Sequence, residues 1–193
     1  MKQKDRKRKY HILGMICMMA VIMVLTGCKE KTDENGSMTS DDGRSYGGVI
    51  EAAEGEKVST AFFDVTVEKA EKYDTYQFDD GLYQADSGKT YLVLKLTVKN
   101  TYEKDLPMSI TDFVLDFEGN DAKDVITGYG NTDLKNADFM DNIFTLKQGD
   151  SITKYILFTV DDKKEYTLCY TEYYEDDFKG NQIKIAIKPE KEK

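Results

Sequence analysis

The chain has 193 residues, 33% of them charged, with a formal net charge of −9, one histidine, two prolines and three cysteines. This length suits one domain with additional segments better than two full domains. Three cysteines do not form the even, dense set of a secreted disulfide scaffold, and the acidic balance argues against a nucleic-acid-binding surface.

The first 27 residues have the pattern of a bacterial signal peptide. Six basic residues between Lys2 and Lys9 precede a 13-residue apolar run, Ile12–Val24. A helix needs ~20 residues to cross the hydrocarbon core of a bilayer. Residues 1–27 are therefore predicted to be a cleaved leader rather than a membrane span.

Leu25-Thr26-Gly27-Cys28 follows this run and resembles the lipobox of bacterial lipoproteins. The resemblance implies that Cys28 receives a diacylglyceryl group and becomes the mature N-terminus. The chain would then be held by its acyl chains on the extracellular face of a cell membrane, in a Gram-positive bacterium. An uncleaved anchor, with Cys28 as a bystander, is the alternative.

Cleavage would make the chain more acidic. It removes six of the 27 basic and one of the 36 acidic residues, which leaves a net charge of −14. Arg44 is then the single arginine, and no histidine remains. Such a surface argues against binding to nucleic acid or, through a basic patch, to anionic lipid headgroups.

Residues 28–54 are predicted to be the lipidated N-terminus and a flexible linker. Glycine, serine, threonine and acidic residues dominate this stretch, and such a composition cannot bury enough apolar surface to offset its ordering entropy. A Gly-rich coil of this length has an r.m.s. reach of about 25–30 Å, which would hold the domain clear of the membrane. Residues 46–53 could instead begin the first strand.

Residues 55–188 show the period-two alternation of half-buried β-strands. The clearest segment is Tyr91–Asn100, which is predicted to be a central strand with one face in a core. Its core-facing residues would be Leu92, Leu94, Leu96 and Val98. The other predicted strands lie near 63–68, 113–118, 152–160, 166–171 and 183–188.

Two long polar connections, 73–89 and 119–142, separate these strands, and the second is predicted to contain a short helix near 134–140. No other segment has a helical period, so the pattern predicts an all-β sandwich. About 135 residues can bury about two-thirds of their surface without disulfides. Pro189 would end the last strand, and residues 189–193 would form a charged tail.

Five short motifs occur in a fixed order along the predicted domain. They are Gly88–Val93, Val98–Thr101, Thr111–Phe113, Leu146–Ser151 and Phe158–Val160. Together they resemble the telokin-like, immunoglobulin-like domain of unknown function that many Gram-positive lipoproteins carry. The resemblance covers about residues 55–188 and implies an immunoglobulin-like β-sandwich without established enzymatic activity. The long 119–142 connection departs from the family pattern.

Histidine, a side chain that many catalytic and zinc sites use, is absent from the predicted mature chain. Without histidine, the mature chain has no Ser-His-Asp or Cys-His pair and no His-containing zinc site. Cys169 lies mid-strand between aromatic residues, whereas a reactive thiol needs an electropositive setting. It is therefore predicted to be structural. We predict no enzyme, no cofactor and no metal site.

Acidic clusters are one candidate for binding. None has the spacing of a calcium loop, and none singles out the carboxylate pair of a glycosidase, so a solvated acidic loop is the favoured interpretation. The largest cluster is Glu172, Glu175, Asp176 and Asp177, and smaller ones are Asp79-Asp80 and Asp121/Asp124.

Tyrosine is enriched in two predicted loops and supplies rigid, amphipathic contact area. These tyrosines either form a binding surface or cap strand edges and sheet faces. The sequence thus predicts a non-enzymatic, lipid-anchored extracellular module that binds a protein or cell-envelope component through its loops. A calcium-dependent structural or adhesion domain is the alternative. The tyrosines are Tyr73, Tyr76 and Tyr83 in one loop, and Tyr170, Tyr173 and Tyr174 in the other.

Overall fold

The structure, a computed structural model, describes residues 35–120 and 126–191. The predicted leader, Cys28 and the pair Asp121/Asp124 lie outside these residues. Within them, no helix has the length and apolar character to cross a membrane. The strands are β1 (Met38–Thr39), β2 (Ser45–Tyr46), β3 (Val49–Ala53), β4 (Lys57–Ser59), β5 (Phe63–Tyr73), β6 (Thr75–Phe78), β7 (Gly81–Gln84), β8 (Lys89–Asn100), β9 (Leu106–Ser109), β10 (Val114–Asp116), β11 (Ile126–Thr127), β12 (Ile143–Leu146), β13 (Ser151–Asp161), β14 (Tyr166–Tyr173), β15 (Lys179–Ile187) and β16 (Glu190–Lys191). The helices are a 3-10 turn at Ile110–Asp112 and α1 (Asn131–Leu134).

Two sheets pack face to face around one large apolar core. The first has the order β11-β10-β14-β15-β3, and the second has the order β13-β8-β5-β16 with β4 also paired to β5. β8 is central, as predicted, and its residues Leu92, Leu94, Leu96 and Val98 have no exposed surface. The predicted all-β, immunoglobulin-like sandwich is thus confirmed, because each sheet buries its apolar face on the other.

β8 also buries residues of its opposite face, which the prediction of one core-facing side missed. Val93 and Tyr91 pack in a second cluster with Leu157 of β13 and with Leu134 and Phe139. The cover comes from the second long connection, whose chain forms isolated bridges from Tyr129 to Leu157 and from Phe139 to Tyr155. In the described part of this connection the helix is α1, Asn131–Leu134, earlier in the chain than the predicted 134–140.

The first long connection, predicted to be a polar loop, contains the hairpin β6–β7. Its aromatic residues complete the second cluster: the ring centroids of Phe78 and Tyr91 lie 5.5 Å apart, and those of Tyr76 and Phe139 lie 6.3 Å apart. Asp79 and Asp80 form the two-residue turn of the hairpin, and Gly81 begins β7 opposite Phe78. Alternating aromatics among polar residues were the sequence signal for this hairpin.

The predicted linker is wrong from residue 35 onward, since β1, β2 and β3 occupy it. β3 adds to the first sheet parallel to β15, with Ile50 opposite Ile183. The side-chain Oδ1 of the buried Asn181 accepts hydrogen bonds from Ser37 Oγ (2.9 Å) and the Gly48 N–H (3.0 Å). Averaged over the stretch, the composition is polar, but the short alternation of β3 provides enough apolar contact to order it.

The predicted charged tail is also partly ordered. β15 ends at Ile187, before Pro189, as predicted. The chain then crosses to the other sheet, where Glu190 and Lys191 pair in parallel with β5. Lys191 and Asp74 form an ion pair at 3.0 Å. A two-residue strand made of charged side chains carries no alternation signal, which is why the sequence did not indicate it.

Candidate binding groove

An open groove of about 490 Å³ lies where six segments of the domain meet. These segments are the β1–β2 hairpin, the loop 60–62, the loop 101–105, β9, the 3-10 turn, and the end of β14 with the turn that follows it. Its aromatic and aliphatic lining consists of Phe62, Tyr102, Leu106, Pro107, Tyr170, Tyr173 and Tyr174. Its charged lining consists of Arg44, Lys104, Asp105, Asp112, Glu175 and Asp176. We name this feature the aromatic groove.

Edge-to-face ring contacts hold the floor of the aromatic groove. The ring centroid of Phe62, a buried residue, lies 5.4 Å from that of Tyr102 and 4.9 Å from that of Tyr174. Such pairs contribute about 0.5–1.5 kcal/mol each beyond the area they bury. The floor is therefore a preformed surface that a ligand could contact without reordering it.

Arg44 closes one side of the aromatic groove. Its guanidinium carbon lies 4.0 Å from the ring centroid of Phe178 and 5.0 Å from that of Tyr174, a cation–π arrangement. It forms ion pairs with Asp42 and Asp176, each at 2.7 Å. Hydrogen bonds from Arg44 hold the pKa of Asp42 down at about 2 and also lower the pKa of Asp176.

The acidic cluster of the sequence analysis does not form one solvated loop. Glu172 is 2% exposed. Its Oε1 accepts a hydrogen bond from the Ala61 N–H (2.7 Å), and its Oε2 accepts one from the Asn181 N–H (2.8 Å). Asp176 is engaged by Arg44, and in the described part of the chain no three His, Cys, Asp or Glu side chains form a metal-binding group.

The tyrosines of the two segments lie in two kinds of position, at the aromatic groove and against the sheet faces. Tyr173 is 61% exposed and lines the aromatic groove. Tyr170 is half-buried and packs on Phe63 with ring centroids 4.8 Å apart, and its burial raises the pKa of its phenol. Tyr73 and Tyr76 support the second cluster. The aromatic groove therefore uses one tyrosine-rich segment, and the other mainly covers the outer face of β8.

Cys169 is buried in β14, as expected of a structural thiol. It is 6% exposed, and the burial raises the pKa of the thiol. A raised pKa keeps the sulfur protonated and weakly nucleophilic.

A second open depression, of about 470 Å³, lies beside the β6–β7 hairpin. Tyr83 and Tyr129, each 46% exposed, line it together with Asp80 and Asp133. The phenol of Tyr83 donates a hydrogen bond to Asp80 (3.0 Å). The lining of this depression also contains edge-to-face rings, since the ring centroid of Phe78 lies 5.5 Å from that of Tyr83 and 5.5 Å from that of Tyr91. The described residues that line it include no basic side chain and therefore form no ion pair there, whereas Arg44 forms two at the aromatic groove, which makes the aromatic groove the better candidate site.

Comparison with known proteins gives a family and a fold. A family model described as "Domain of unknown function (DUF4352)" matches residues 53–183. No curated protein is a significant match. The crystal structure of YcdA, a candidate lipoprotein of Bacillus subtilis, aligns with a TM-score of 0.53 and 20% identity, over 68% of this chain and 38% of YcdA. The chain thus spans well under half of YcdA, and the likeness shows a shared fold.

Two further solved structures align less closely. YjhA of Bacillus subtilis has a TM-score of 0.49 and 16% identity, over 69% of this chain and 98% of YjhA. A candidate lipoprotein of Staphylococcus aureus has a TM-score of 0.46 and 15% identity, over 72% of this chain and 94% of its own length.

Proposed function

The chain belongs to the DUF4352 family of domains of unknown function, and from this premise we propose that it is a non-enzymatic, lipid-anchored binding module of the bacterial cell envelope. Its partner, a protein or another envelope component, binds in the aromatic groove. The observation that carries the proposal is the groove itself, in which an ordered aromatic floor lies beside the exposed Tyr173. Rigid, amphipathic side chains of this kind are enriched at binding surfaces.

The proposed anchor is Cys28, after removal of residues 1–27, and the domain lies outside the cell. The candidate-lipoprotein name of YcdA, which shares the fold, supports this location. The first strand, β1, begins at Met38, so the segment that joins Cys28 to the sandwich is shorter than the predicted linker of residues 28–54.

Cys28→Ala should abolish membrane attachment, because the anchor depends on acyl chains carried by that sulfur. Cell fractionation and labelling with radioactive palmitate measure the effect. We expect the unsubstituted chain to partition with membranes and to be labelled, and the variant to lose both properties. Cys169→Ala is the matched control and should keep both. A normally sized, membrane-bound Cys28→Ala protein would contradict the lipid anchor.

A photo-crosslinking residue at position 173 should capture the partner on intact cells. Tyr173 lines the aromatic groove, whereas Ile143, which is 81% exposed on β12, does not. The same crosslinker at position 143 is therefore the control. We expect a discrete product, read by mass on a denaturing gel, from position 173 and not from position 143. Identical products from both positions, or none from position 173, would rule against binding in the groove.

A further inference from the structure

The aromatic groove meets β14 at its edge rather than on a face of the sheet. Its lining includes both Tyr170, whose ring points into the core toward Phe63, and the following residue Thr171. Successive side chains of a strand point to opposite faces of the sheet. A groove that reaches both of these residues therefore runs along the strand edge.

This edge of β14 has no strand beside it along the groove. On the side away from β15, β14 pairs with β10, and that ladder ends where Cys169 lies opposite Val114. Among the described residues, no strand continues the pairing along Tyr170–Tyr173. On its other side β14 remains paired with β15 through Thr171, opposite Gln182. In the part of the chain that the structure describes, the segment Tyr170–Tyr173 thus has one unpaired edge, and its other edge is paired with β15.

Hydrogen bonding in β15 fixes which backbone groups face the open edge. The Gln182 N–H donates to the Gly48 carbonyl, on the β3 side of β15 (2.9 Å). Backbone groups alternate in direction along a strand, so Ile183 points its groups toward Tyr170, its partner in β14. The N–H and C=O of the next residue, Thr171, then point away from β15 and into the groove. This is the pair of groups that an added strand needs.

The other strand that lines the groove is β9, through Leu106 and Pro107, and it is paired with β12 on one side. Pro107 has no N–H to offer to a ladder. An incoming backbone would therefore pair with Thr171 and place its side chains on the aromatic lining.

The charges around the groove favour a basic ligand. Arg44 is already paired with Asp42 and Asp176. The remaining charged side chains of the lining are three carboxylates, Asp105, Asp112 and Glu175, and one amine, Lys104. The aromatic lining complements these carboxylates, since tyrosine and phenylalanine rings attract cations.

We propose that the aromatic groove binds an extended, lysine- or arginine-containing peptide segment by adding it as a strand to the open edge of β14 at Thr171. The proposal rests on the proposed function and names the chemistry of its partner. Main-chain hydrogen bonds supply affinity in this mode, and alternate side chains supply specificity.

The test uses the full chain in neutral detergent and a capped peptide of alternating valine and lysine with one terminal tryptophan. Since the protein contains no tryptophan, fluorescence anisotropy reports on the peptide alone. We expect saturable binding of this peptide and none of its counterpart with glutamate in place of lysine. N-methylation of alternate backbone amides, which removes the donors of one edge, should weaken binding about tenfold, the effect of losing one or two hydrogen bonds.

Matched variants test the charge. Glu175→Gln should weaken peptide binding about two- to fivefold, as expected for one exposed ion pair. Glu165→Gln changes the net charge equally at a site away from the groove, where the Glu165 side chain is 67% exposed, and should leave binding unchanged.

Three results would overturn the strand-addition proposal. They are no binding of the lysine peptide, equal binding of its N-methylated form, and displacement by spermidine at the peptide's own concentration, which would indicate a site for small cations. A product from position 173 in cells, combined with any of these results, would preserve the binding function and reject the peptide chemistry.

Discussion

Leu94→Ala should lower the free energy of unfolding by about 2–5 kcal/mol, the range for a buried leucine that leaves a cavity. Leu94 has no exposed surface, and β8 places it between Ala70 of β5 and Ile156 of β13. Neighbours on both sides and the facing sheet limit how far the site can collapse. Urea denaturation followed by circular dichroism measures the loss as a shift of the midpoint with an unchanged slope.

The same strand supplies one control and one further test. Lys99→Ala, at an exposed position, should change the free energy of unfolding by no more than about 0.5 kcal/mol. Val93→Ala should cost about 1–3 kcal/mol, since Val93 is 4% exposed on the opposite face. A neutral Val93→Ala would show that the second cluster does not add to stability, and a costly Lys99→Ala would contradict the register of β8.

Glu172→Ala should lower the free energy of unfolding by about 2–4 kcal/mol, because two backbone N–H groups lose their acceptor. Each buried donor left unsatisfied costs about 1–3 kcal/mol, and the Ala61 N–H, which is only partly buried, can recover part of this from water. Gly180 packs so closely that a Cβ there would lie 2.5 Å from Glu172 Oε2. The backbone at Gly180 and Asn181 therefore packs directly against the Glu172 carboxylate.

Glu175→Ala is the matched control for Glu172→Ala. Glu175 lies three residues further along the chain and is exposed, so its loss should stay within about 0.5 kcal/mol. Thermal denaturation and hydrogen exchange at the Asn181 amide distinguish the two variants. Equal destabilisation by both would mean that the carboxylates act through the net charge of the loop rather than through the hydrogen bonds of Glu172.

The sequence by itself determined the fold class and the inward faces of the main strands. Leu92, Leu94, Leu96 and Val98 follow one another at every second position, and that spacing alone places them on one side of a strand. The alternation in 152–160 and 183–188 likewise predicted β13 and β15. These predictions succeed because the alternation of apolar and polar side chains along a strand depends only on residues that are neighbours in sequence.

Only the tertiary structure decided which distant segments come into contact and that they form the aromatic groove. Arg44 and Asp176, 132 residues apart, meet at the groove, and neither has a local pattern that indicates the contact. The sequence predicts that Glu172 lies in a solvated acidic loop, but its two carboxylate oxygens accept hydrogen bonds from the N–H groups of Ala61 and Asn181. The partners of a polar side chain come from segments remote in sequence, so their burial depends on strand order and register. The alternation of residues along a single strand does not indicate the order or the register of the strands.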